Sequence, residues 1–66
     1  MAFGTKLRAE RRRQDVTQLE LAKAVGVKQV SISRYESGKE KPNFENAIKI
    51  AKYLNVSLDF LTSEED

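Results

Sequence analysis

The segment KQVSISRYES, Lys28 to Ser37, carries amide, hydroxyl and guanidinium groups at spacings that suit one face of a helix. At about 100° per residue, Ser31, Ile32 and Tyr35 fall on one side. Val30, Ser33, Arg34 and Ser37 fall on the other, flanked by Gln29. The outer side is polar, compact and lightly charged, which suits hydrogen-bonded recognition rather than bond-making. The rest of the chain supplies little for catalysis. It has no histidine, the commonest general base and imidazole ligand, and no cysteine for a thiolate metal site or a disulfide framework. Asp15 near Arg11 and Glu45 near Lys49 read as surface charges on helices, not as an acid and a base converging in a cleft. No glycine loop for phosphate and no metal-ligand spacing is present. The expectation is a chain that is not an enzyme and takes no metal, cofactor or small-molecule ligand.

Length and charge point the same way. A domain of 66 residues buries only about 60% of its unfolded surface, so there is little room for an enclosed pocket. One domain spanning residues 1–66 is expected, with its function on the outside. Ten lysines and arginines face five carboxylates up to Lys41, a net +5. From Pro42 onward two face five, a net −3. The first part should therefore attract polyanions and the second should not. No apolar run is long enough to span a membrane, and the start MAFGTKLRAERRR lacks the apolar core of a signal peptide, so a cytoplasmic protein is expected.

Five helical segments can be read, with no convincing strand or repeat. The first runs from about Thr5 to Arg13, anchored by Leu7 and capped by Thr5 or Gly4. Thr17 opens the second, and Glu20 completes a T-x-x-E capping box in which each side chain satisfies a backbone N–H at the helix start. Leu21, Ala22 and Val25 form its inward stripe, and Gly26 stops it. The third helix, about Lys28 to Ser37, ends at Gly38. Pro42 leads into a fourth, Asn43 to about Leu54, with Phe44, Ala47, Ile48, Ala51 and Leu54 as its core stripe. Asn55 closes it, and Asn55-Val56-Ser57, although it matches a glycosylation acceptor, marks a helix boundary because no secretory signal precedes it. Ser57 caps a last short helix bearing Leu58, Phe60 and Leu61, and residues 63–66 are expected to fray.

A buried, capped helix followed after a short glycine turn by one with a polar outer face is a helix-turn-helix, here about residues 17–37. Such an outer face is sparse in apolar groups because it enters the major groove, where hydrogen-bonding groups and thymine methyls distinguish base pairs. The motifs VTQLELAKAVGV and SISRYESGK, the proline before the fourth helix, and AKYLNVSLDFL together resemble the lambda-repressor-like, or Xre-type, DNA-binding domains of bacterial and phage repressors. The resemblance covers about residues 5–62. It implies an all-α, compact five-helix domain that binds double-stranded operator DNA, usually as a homodimer on a two-fold site.

Carried over by position, Lys28, Gln29, Val30, Ser33 and Arg34 resemble the base-reading and groove-lining positions. Gln29 would pair with adenine, Arg34 or Lys28 with guanine, and Val30 with a thymine methyl. Val30 has a second reading, tucked against the second helix. Gln18 resembles the phosphate-contacting glutamine at a helix start. Arg11 and Glu36 resemble an ion pair linking the first and third helices, with Glu36 orienting an arginine that lies near a phosphate. As a surface pair it would add only about 0–1 kcal/mol. Lys39, Lys41 and Asn43 resemble the positions that grip the backbone, although either lysine also reads as a solvated loop charge. Two departures stand out. Lys28 replaces a usual serine or threonine cap, and Leu19 occupies a usually polar position, as a scattered surface leucine or as a patch with Val30.

Two functions compete. One is a sequence-specific transcriptional regulator, expected to be a repressor because the chain has no room for an activation domain. Its dimer would place recognition helices about 34 Å apart on half-sites about 10 base pairs apart. The other is an antitoxin or adaptor whose apolar end, Leu58, Phe60 and Leu61, holds a protein partner. Those three residues also read as a homodimer interface, or as core.

Overall fold

A computed structural model describes residues 2–63 of the 66 as five helices: α1 (Ala2–Arg13), α2 (Gln18–Val25), α3 (Gln29–Ser37), α4 (Phe44–Leu54) and α5 (Leu58–Thr62). No strand occurs among the described residues. The all-α, five-helix architecture expected from the sequence is the one observed. The expected fraying over residues 63–66 lies, beyond Ser63, outside the described residues.

Local chemistry sets most of the boundaries. At α2, Thr17 Oγ1 accepts from the Glu20 N–H at 3.0 Å while Glu20 Oε1 accepts from the Thr17 N–H at 2.8 Å, closing the reciprocal box. Asn43 and Ser57 cap α4 and α5, accepting from the N–H groups of Asn46 at 2.8 Å and Phe60 at 2.9 Å. Gly26 and Gly38 end α2 and α3 at φ 88° and 83°, a left-handed conformation open to glycine at little steric strain. Asn55 does the same for α4 at φ 59°.

Leu7, Leu21, Ile32, Ile50, Leu54 and Leu61 are fully buried, and each such side chain stabilises the fold by about 1.5–3 kcal/mol relative to exposure. Phe3, Val16, Val27, Val56 and Leu58 pack around them. α3 is held between α1 and α2, α4 closes over α2, and α5 bridges α4 and α1. The chemistry of α3 is thereby presented from a rigid base.

Three expectations are corrected. α1 begins at Ala2 rather than Thr5, so neither Thr5 nor Gly4 caps it. Phe3 docks on the core and carries the helix through a weakly helical sequence. Gly4 instead permits a close helix approach. A Cβ there would lie 2.5 Å from the Tyr35 carbonyl oxygen and 2.6 Å from that of Glu36, so its bare backbone lets α1 reach the end of α3. On α4 the buried stripe is Ala47, Ile50, Ala51 and Leu54. Ile48 is half-buried and Phe44 is 73% exposed, because the stripe is rotated toward Ile50 and Phe44 sits at the first turn.

Candidate nucleic-acid interface

The connection from α2 to α3 is stapled by its backbone: the N–H groups of Gly26 and Val27 both donate to the Ala22 carbonyl, at 2.8 and 3.0 Å. Ile32 and Tyr35 point inward and are buried. Their burial turns Lys28, Gln29, Val30, Ser33 and Arg34 outward, and all five are exposed. Val30 is 57% exposed, so it is not tucked against α2. Leu19 is also an exposed apolar residue. Lys28 is the N-cap of α3 and makes no side-chain cap bond, as its departure from serine or threonine leads one to expect.

Behind this face lies a buried polar cluster. Arg11 Nε donates to Glu36 Oε2 at 2.6 Å, and Arg11 Nη2 donates to Glu36 Oε1 at 3.1 Å. Arg11 Nη1 donates to the Val16 carbonyl at 2.8 Å, and Gln18 Nε2 donates to Glu36 Oε1 at 3.1 Å. One carboxylate on α3 thus ties down α1 and the start of α2, and Arg11 in turn holds the α1–α2 connection. The expectation of a surface pair is corrected: the side chains of Arg11 and Glu36 are only 10% and 4% exposed. A pair this dry is satisfied on both sides, and removing one partner leaves a buried charge uncompensated. Arg11 therefore spends most of its hydrogen bonds inward. Its chief structural effect is to fix α3.

The other positions expected to grip the DNA backbone lie around the edges of α3. Gln18, half-buried, is at the first turn of α2, and Asn43 caps α4 with its side-chain oxygen. Lys39 and Lys41 are exposed in the loop after Gly38. Sequence reasoning missed Glu40 between them: Arg34 Nε donates to Glu40 Oε1 at 3.3 Å. The available signal was an opposite charge six residues on, across a glycine that reverses the chain.

A second cluster steadies the end of α1. Glu10, a buried carboxylate, accepts from Arg13 and from Gln14 Nε2 at 2.8 Å, and Gln14 also donates to the Leu54 carbonyl at 2.7 Å. The hydrogen bonds from Arg13 and then Gln14 hold the Glu10 carboxyl below its ordinary pKa.

The proposed apolar contact divides. Leu61 is fully buried and Leu58 packs against the core, so Leu61 is corrected from interface candidate to core residue. Phe60 is 44% exposed, with Lys6 Nζ 5.2 Å from its ring centre. No group of three or more metal-ligating side chains occurs among the described residues, and no helix there is long and apolar enough to cross a membrane.

This fold and exposed face define a helix-turn-helix domain, and the chain belongs to the helix-turn-helix family, whose model matches residues 7–61. It is 39% identical over its full length to the HTH-type transcriptional activator BcrR of Enterococcus faecalis, of which it covers 32%. Over 89% of its length it is 40% identical to repressor protein C2 of Salmonella phage P22, covering 27% of that protein. The chain thus spans roughly a third or less of either relative. Among solved structures, it matches the P22 c2 repressor in complex with a synthetic operator at a TM-score of 0.92, with 35% identity and 98% of each chain covered. The restriction-modification controller protein C.AhdI of Aeromonas hydrophila matches at a TM-score of 0.85, with 27% identity over 91% of each chain.

Proposed function

We propose that this protein is a sequence-specific DNA-binding transcriptional regulator that reads a two-fold operator through the major groove and acts as a repressor. The observation that carries the reading is the outward display of Lys28, Gln29, Val30, Ser33 and Arg34 on a helix whose inner side is locked into the core. Gln29 supplies a bidentate match to adenine, Arg34 to guanine and Val30 a contact for a thymine methyl, each good bidentate pair discriminating by about 1–3 kcal/mol. Gln18, Lys39, Lys41 and Asn43 grip the phosphates that set register, and Arg11 with Glu36 positions the reading helix. The similarity to the P22 repressor on its operator supports the DNA reading and the choice of repressor. Two copies bind one operator, with Phe60 rather than Leu61 at their contact. The protein works in the cytoplasm as a binding module, not as an enzyme.

Selection of bound duplexes from a random pool at roughly physiological salt tests this, because nonspecific phosphate attraction is then suppressed. The expected outcome is an enriched motif with half-sites about 10 base pairs apart. Equal retention of every duplex would reject it. The antitoxin-like alternative rests on a 36% identity over 96% of the chain to the antitoxin PezA of Streptococcus pneumoniae. It gains only if the selection fails while the chain remains folded.

A further inference from the structure

We propose that Glu40 is a specificity-determining residue: it holds the guanidinium of Arg34 so that the arginine reads a guanine instead of settling on a phosphate. The inference rests on the DNA-reading function above and deepens it.

The backbone brings the two side chains together. The left-handed turn at Gly38 reverses the chain, and the Lys39 and Glu40 N–H groups both donate to the Arg34 carbonyl, at 3.0 and 3.3 Å. Ser37 Oγ donates to the same carbonyl at 3.2 Å. Glu40 is therefore fixed beside Arg34 by main-chain bonds, not by a chance meeting of two long side chains. Its carboxylate takes only the Nε edge, through Oε1 at 3.3 Å. Both Nη groups remain for the O6 and N7 acceptors of guanine, which an arginine fork matches in a bidentate way.

Arginine without such a partner has an easy alternative, because most hydrogen bonds between proteins and DNA go to phosphate and sugar and carry no sequence information directly. A carboxylate beside the guanidinium repels a phosphate at that spot and leaves the base edge as the favourable target. Both partners are about half exposed, 51% and 47%, so the pair contributes little to holding the fold together. Lys39 and Lys41 flank Glu40, so a negative group sits in a basic loop where phosphate attraction alone would favour a neutral or positive one.

The test compares the unsubstituted chain, Arg34→Ala and Glu40→Gln in the same random-pool selection, with helicity checked by circular dichroism. Arg34→Ala should erase a guanine preference at one position of each half-site and so mark the base that Arg34 reads. Glu40→Gln should weaken that preference by about three- to tenfold while the other positions hold. On random duplex, the logarithmic salt dependence of its binding should steepen by about one as Arg34 turns to phosphate. An unchanged guanine preference in Glu40→Gln overturns the inference. So does an equal flattening of every position, which is what removal of one negative charge would do by itself, or the absence of any position marked by Arg34→Ala. If the unsubstituted chain enriches no duplex, the DNA-reading function falls and this inference falls with it. Enrichment with unaltered preferences removes this inference alone.

Discussion

α3 takes part in two arginine–glutamate pairs, one on each side of the helix. Glu36 meets Arg11 inside the protein, and Arg34 meets Glu40 outside it. The chemistry is the same and the surroundings are opposite. The inner pair is nearly dry, bidentate, and reinforced by Gln18 and the Val16 carbonyl. The outer pair is half in water and held through one edge. Water separates their roles, since a pair that loses its solvent becomes part of the architecture, whereas a pair that keeps it stays available to a third party.

The largest break in this comparison is Glu36→Ala. It leaves the Arg11 guanidinium buried without its counter-charge and should destabilise the fold by about 3–5 kcal/mol in urea unfolding. Replacing both partners together, Arg11→Met with Glu36→Leu, should recover most of that loss, because the desolvation of both charges disappears with them. A double variant as unstable as the single one would mean that the pair is not self-contained.

Next in size is Gly4→Ala. The added methyl meets main-chain oxygens of Tyr35 and Glu36, so α1 must shift from α3, at a cost of about 1–3 kcal/mol. Because the shift starts beside Glu36, it should also loosen the inner pair. Thermal unfolding measures the loss, and an unchanged midpoint would show that the two helices are not in close contact there.

Glu10 sharpens the comparison from a third, intermediate pair, with a buried carboxylate and a largely exposed arginine. Its carboxyl titrates below the ordinary range when folded, so its contribution is complete above the unfolded pKa and is lost as pH falls toward the folded one. Unfolding midpoints followed from about pH 6 to pH 3 should therefore fall less steeply in Glu10→Gln than in the unsubstituted chain. Parallel curves would reject the assignment. The smallest effect belongs to the outer pair: Glu40→Gln should change stability by no more than about 1 kcal/mol. A loss near that of Glu36→Ala would erase the distinction between the two sides of α3.

Elements whose boundaries depend on neighbouring residues were legible in the sequence. The Thr17 box and the Ser57 cap rest on groups three positions apart, the glycine stops on the conformation of a single residue and the outward face of α3 on helical spacing, and all are observed. What escaped was set by contact with a distant part of the chain. The start of α1 depends on Phe3 and Gly4 meeting the core and α3, and the burial of Arg11 depends on four segments closing around one carboxylate. The choice of Ile48 over Ile50 shows the same limit, since both lie near the apolar side of α4 and only the packed neighbours select the orientation.

The exposure of the Arg34 and Glu40 side chains also sets a clock. Exposed side chains change rotamer within roughly picoseconds to nanoseconds, so this contact can form and break many times while the main-chain bonds beside it stand still. Arg11 and Glu36, 25 residues apart and enclosed, exchange partners only when helices separate. The outer pair can thus open and re-form without any opening of the core, whereas the inner one cannot.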